Sequence, residues 1–172
     1  MNLTMNERLI LANQYRILEL IDPEEADYYK QAQTAIRSGY SIEYGRLTEW
    51  FDTEMSNEEG SEVRGILDMH RSMAKAFRDH GKDLGLGRSD VQFQGFDGNG
   101  EGRQFAYADF LINTRKLWAE SADVETNSHR PMLSRYRRMM AVWSRTPEKW
   151  DITANEFREL MVAGGHEFKP LP

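Results

Sequence analysis

The chain has 172 residues, no cysteine and a formal charge of −6 at pH 7. A chain of that length removes roughly 70% of its unfolded surface from water, so a conventional core forms without a covalent staple. The missing cysteine excludes disulfides, thiolate nucleophiles and Cys-based zinc or iron–sulfur sites, and fits a reducing compartment. The excess of acid disfavours general affinity for polyanions such as nucleic acid or anionic lipid.

Apolar runs fall short of the ~18 residues that a membrane span requires, and Met1 to Glu7 is polar where a secretion signal would be basic and then apolar. The expectation is a cytoplasmic protein with no membrane association. Charge is uneven: residues 1–60 carry 5 basic and 12 acidic groups, 61–130 carry 10 and 11, and 131–172 carry 7 and 5. Solvated helix faces give that pattern, and it also provides opposite signs for association between copies.

Helix starts are marked by a Ser or Thr followed three residues later by Glu, the reciprocal arrangement that satisfies orphan backbone donors. Thr4 with Glu7 opens the first helix. Wound at 100° per residue, its Leu9, Ile10, Leu11, Tyr15, Ile17, Leu18, Leu20 and Ile21 spread around most of the circumference. The expectation is therefore burial on several faces, either as a central core helix or as one shared between subunits. Asn13 and Gln14, set among these apolar groups, are expected to hydrogen-bond across to another helix.

Asp22, Pro23 and Glu25 open a second helix that Gly39 closes in a left-handed cap. Leu47, Trp50 and Phe51 suggest a short helix within residues 40–52. Ser56 with Glu59 opens a long helix to about His80, closed by Gly81, with Val63, Ile66, Leu67, His70, Ala74 and Phe77 on one stripe. Lys82 to Gly102 contains six glycines and encloses Val91, Phe93 and Phe96, whose alternation reads as a short extended segment that could pair near Ile42. A helical stripe follows at Tyr107, Phe110, Leu111, Thr114, Leu117 and Trp118. Another runs Leu133, Tyr136, Met139, Met140 and Trp143. Thr153 with Glu156 opens the last helix, which bears Phe157, Leu160 and Met161 and is closed by Gly164 and Gly165. The fold class is all-α, a single multihelical domain over residues 1–165 with about six to eight helices, at most a short extended segment near 91–96, and a tail at 166–172.

Arg8-Leu9-Ile10-Leu11 with Asn13-Gln14-Tyr15 and Asp22-Pro23 resembles the opening of the YfbU family. Gly39-Tyr40, Gly95-Phe96-Asp97, the set Tyr136, Arg138, Met139, Val142 and Trp143, and Ala154-Asn155-Glu156 follow in that family's order, so the resemblance covers nearly the whole chain. It implies a multihelical bacterial protein and brings no catalytic residues to carry over, because the family has no established activity. The glycine-dense Asp97–Gly102 stretch and the tail from Gly165 depart from the family pattern.

Few constellations suggest chemistry. Asp97, Asn99 and Glu101 match the first half of a calcium loop, but Ala108 stands where a bidentate Glu would complete it. The alternative is a turn feeding a helix, with Asp97 or Asn99 as its cap. The same glycines miss both the dinucleotide and P-loop spacings. No two histidines lie three or four residues apart, so no local two-His metal site exists and no metal or cofactor is expected. His70, on an apolar stripe, reads as a core imidazole, with a ligand or general-base role as the alternative. Arg130, Arg135, Arg137, Arg138 and Arg145 stand near Tyr136 and Trp143. On the wheel Arg135 and Arg138 stand close together beside Tyr136 while Arg137 and Arg145 point elsewhere, so the surface for phosphate or an acidic partner is partial, and intramolecular ion pairs with Glu-rich neighbours are the alternative.

The leading expectation is a self-associating helical protein with a binding or scaffolding role, using the first helix and the methionine-rich stripe around Met139 as buried surfaces. A nucleic-acid-associated regulator using the arginine helix 130–145 is the second reading. A metal-dependent or hydrolytic enzyme around His70 with distant carboxylates is the third. No motif selects a reaction class.

Overall fold

The computed structural model describes residues 1–118 and 125–168. The expected class holds: among the described residues there are seven α-helices, and the only pairing of extended backbone is one isolated bridge between Phe96 and Asn127. None of these helices is long and apolar enough to cross a membrane. Backbone contacts divide the chain into two compact units, Met1–Glu54 and Met55–Pro172, at a boundary that no linker-like composition marks in the sequence.

The first unit is a helical hairpin. Helix α1 (Met5–Ile21) starts at the expected capping box, with the Glu7 N–H donating to Thr4 Oγ1 at 3.3 Å and the Thr4 N–H to Glu7 Oε2 at 2.7 Å. A 3₁₀ turn at Pro23–Glu25 leads into α2 (Ala26–Ser38), which Gly39 ends at φ 72°. Arg8 secures that end by donating from Nε to the Ile36 carbonyl at 2.7 Å and from Nη2 to the Arg37 carbonyl at 2.6 Å. The φ there favours glycine, and the Arg8 guanidinium lies 3.1 Å from where a Cβ on residue 39 would stand, so a side chain would also crowd it. The buried cluster of the unit is Ala12, Ile36 and Tyr44. The short helix expected around Leu47 and Trp50 is a 3₁₀ segment, Ser41–Thr48, which stops before Trp50 and Phe51 and leaves both exposed.

The first helix corrects an expectation. It is not a central core helix, because Ala12 is its one buried residue. The faces carrying Arg8, Leu11, Ala12 and Tyr15 turn towards α2, while Leu9, Ile10, Ile17, Leu20 and Ile21 are exposed. Asn13 and Gln14 are exposed with them.

The central helix is α3 (Asn57–His80), in the second unit, opened by the Ser56–Glu59 capping box. Its Val63, Ile66, Leu67, Met69 and Met73 are buried in one cluster with Phe93, Phe96, Leu111, Tyr136, Met139, Trp143 and Phe157. These side chains come from α5 (Gly102–Asp109) and its extension, α6 (Leu133–Trp143), α7 (Ala154–Ala163) and the connecting loops. The stripe Tyr136, Met139 and Trp143 is therefore core of its own chain and not an association surface. Met69, Met73, Met132, Met139 and Met161 are all buried. Methionine here fills gaps inside the subunit, as its flexible chain suits it to do.

Two further expectations change. The helix through Tyr107 does not continue to Trp118: it widens into a π-turn at Phe110–Thr114, with the Arg115 N–H donating to the Phe110 carbonyl at 2.8 Å. Lys116 and Trp118 then take positive φ, and the Trp118 ring donates to Asp68 Oδ1 at 2.9 Å. Burial of that indole overrides the helical period. The segment around Val91 is a single helical turn, α4 (Arg88–Val91), and the extended backbone after it pairs with Asn127 rather than near Ile42. Gly95 permits this, because a Cβ there would meet the Thr126 carbonyl oxygen at 2.2 Å. In the tail, Phe168 packs on the core cluster and Arg158 stands 4.5 Å from its ring; residues 169–172 lie outside the described residues.

Candidate functional site

Of the residues singled out from the sequence, the fold brings His70, Arg135 and Tyr136 together. Helix α3 presents His70, α6 presents the other two, and Phe93 and Phe96 close the group. Ring centroids stand 5.2 Å apart for His70–Tyr136 and 5.4 Å for His70–Phe93, both edge to face. The Tyr136 hydroxyl donates to the Gly95 carbonyl at 3.1 Å and accepts from the Gln94 N–H at 3.2 Å. His70 Nδ1 lies 3.1 Å from the Val91 carbonyl. A carbonyl only accepts, so Nδ1 carries the hydrogen and Nε2 presents a lone pair.

Burial pushes the imidazole down to about 4, with Arg135 acting in the same direction and the Val91 bond opposing. Burial also pushes the Tyr136 phenol up. His70 Nε2 and Arg135 Nε are both buried without a partner. A neutral imidazole walled by rings is suited to packing, and no group of three or more His, Asp or Glu side chains converges on a common centre among the described residues.

Arg138 stands apart from this group. It donates to the Ala163 carbonyl at 3.1 Å and to the Ser134 carbonyl at 3.3 Å, which ties α6 to the end of α7. Arg137 is held by both carboxylate oxygens of Glu62 at 2.7 and 2.9 Å. The arginines of this helix thus point to different neighbours and do not form one basic face.

The loop residues separate in the same way. Asp97 Oδ1 accepts from the Asn99 N–H at 3.1 Å, making a local turn. Glu101 turns inward and is buried: its carboxylate accepts from the backbone N–H groups of Asp97 at 3.0 Å, Met132 at 2.9 Å and Leu133 at 2.6 Å. Two of those donors belong to the start of α6, which has no capping side chain of its own. That missing local cap was the one sequence signal for this role. The duty of Arg8 at the end of α2 had no comparable signal.

The remaining surface features belong to the first unit. A hollow of about 400 Å³ lies along α2, floored by Ala32 and Ala35 and walled by Tyr28, Tyr40 and Leu47. Its rim carries both signs, with Arg46 3.7 Å from Glu43, and so selects no ligand charge. More prominent is the flank of α1 turned away from α2. Met5, Leu9, Ile10, Ile17, Leu20 and Ile21 are each between 57% and 73% exposed. Surface apolar residues are normal one at a time; a contiguous set along one helix marks an interaction surface. The helix is neutral, with Glu7 and Glu19 against Arg8 and Arg16, and Arg16 is paired to Glu19 at 2.8 Å at the edge of the flank.

Compared with known families, the sequence matches the YfbU domain over residues 1–163.

Proposed function

The chain belongs to the YfbU family, and from that premise we propose a self-associating helical protein of the bacterial cytoplasm, with a binding or scaffolding role and α1 as its self-association surface. The observation that carries this reading is the apolar outer flank of α1. Its exposed Ile10, Ile17, Leu20 and Ile21 each return roughly 1 kcal/mol when covered, so two such flanks facing one another gain on the order of 8 kcal/mol. That offsets a large part of the ~4–15 kcal/mol that association costs, whereas one flank against a polar partner offsets half as much.

Charge points the same way. Like charges disfavour a face that meets its own copy, and α1 itself carries no net charge within the acidic first 60 residues. The amides Asn6, Asn13 and Gln14 each donate and accept, so they are complementary to themselves.

Sedimentation over a wide concentration range tests the reading. A species heavier than the 20.0 kDa chain is expected, and Ile17→Asp, which places a charge on the flank, is expected to return it to the single-chain mass with its helical circular dichroism intact. Wild-type protein that stays at single-chain mass throughout would overturn the proposal.

A further inference from the structure

Resting on that self-association, we infer that α1 pairs in parallel with α1 of a second copy, Asn13 facing Asn13 across a two-fold axis. The basis is the spacing within the exposed flank. Asn6, Ile10, Asn13, Ile17 and Leu20 recur at intervals of 4, 3, 4 and 3 residues, the alternation that keeps a seam facing a partner helix. At 100° per residue they fall within about 80° of arc, opposite the residues that meet α2. All five are exposed.

The two polar positions decide the direction. In parallel pairing each residue meets its own counterpart: Ile10 on Ile10, Ile17 on Ile17, Leu20 on Leu20, and the Asn6 and Asn13 amides on themselves, each able to donate and accept. An antiparallel register that sets Ile10 on Leu20 sets Asn13 on Ile17, and the amide loses water with nothing in return. The register that instead sets Asn13 on Gln14 places Glu7 on Leu20. Parallel in-register pairing leaves neither amide facing an apolar side chain. At the rim it lays the Arg16 stem over Ile21 of the second copy while Glu19 of its own helix holds the guanidinium. A polar side chain in such a seam fixes register at some cost in affinity.

The absence of cysteine makes the test clean. Under mild oxidation, the full chain carrying Leu20→Cys is expected to form a disulfide-linked dimer in high yield, well above a chain carrying the exposed Ile42→Cys as collision background. The antiparallel registers separate the two positions by ~15 Å or more along the axis, beyond the ~7 Å a disulfide spans. In a mixture with mass-tagged Ile10→Cys chains, parallel pairing gives little Leu20–Ile10 linkage. Predominant linkage of that mixed kind would overturn the parallel inference and leave self-association through α1 standing. A sedimenting dimer with no linkage above background at either position would overturn the pairing of α1 altogether. A wild-type chain at single-chain mass would overturn the underlying reading. Asn13→Leu is expected to associate more tightly and to link in both directions, because the residue that selects direction is gone.

Discussion

His70 is a titratable residue held neutral by its surroundings. Its ordinary value of 6.5 falls to about 4 in the folded chain, burial being the main cause. Below pH 6.5 the unfolded chain binds a proton that the folded chain refuses, so stability rises with pH between about 4 and 6.5 and is lost as pH falls through that window. The full difference is roughly 3 kcal/mol, because each pH unit separating the folded from the unfolded value is worth about 1.36 kcal/mol. Glu7, Glu59 and Glu156 add a slope of the same sign in acid, because hydrogen bonds from Thr4, Ser56 and Thr153 hold their carboxyls below the ordinary range. The His70 contribution is therefore read as a difference. His70→Phe keeps a ring against Phe93 and Tyr136, and its denaturant stability is expected to change less than wild type between pH 6.5 and pH 4. Equal slopes in the two proteins would show that the imidazole is protonated in the folded state. The apolar stripe on α3 located His70 in the core, but its ring partners Phe93 and Tyr136 could not be read locally, since they lie 23 and 66 residues away.

At the scale of elements, what starts and stops each helix separates the legible from the hidden. The three capping boxes at Thr4, Ser56 and Thr153 form as the sequence indicates, because each completes its bonds within four residues. Helix α6 starts without such a motif and takes its cap from Glu101, some thirty residues earlier in the chain. Glu101→Ala would leave the buried N–H of Met132 and its neighbours unpaired, at about 1–3 kcal/mol per group. The expected loss is ~3 kcal/mol in urea unfolding, with weaker protection of the first amides of α6 in hydrogen exchange. Glu101→Gln retains one accepting oxygen and should lose about half as much. A Glu101→Ala chain as stable as wild type would mean that water replaces the carboxylate. The same contrast of range explains the other departures. The π-turn at Phe110–Thr114 follows from where the Trp118 indole must go to reach Asp68, and the bridge at Phe96 from the close approach of Thr126 to Gly95. Neither demand leaves a local pattern. The α1 wheel reported an apolar girdle correctly but could not tell a core helix from one with an open flank, because both have the same sequence.

Across the whole molecule, the two units differ in how much core each possesses. The buried cluster of residues 55 onward joins side chains from α3, α5, α6 and α7, whereas that of the 54-residue first unit is Ala12, Ile36 and Tyr44. Below ~70 residues a single core seldom supplies more than ~3–5 kcal/mol, and oligomerisation is one of the usual supplements. If α1 pairs with a second copy, the first unit draws stability from that pairing and obeys mass action: a tenfold rise in concentration adds about 1.4 kcal/mol per dimer. Hydrogen exchange followed by residue separates the two behaviours. Amides of α2 are expected to gain protection as concentration rises, by about a factor of three per chain for each tenfold step, while amides of α3 stay constant. Ile17→Asp should abolish the concentration dependence in α2 and leave α3 protected as before. Were α2 equally protected at every concentration, the small cluster around Ile36 would suffice by itself, and the open flank of α1 would have no part in holding the first unit together.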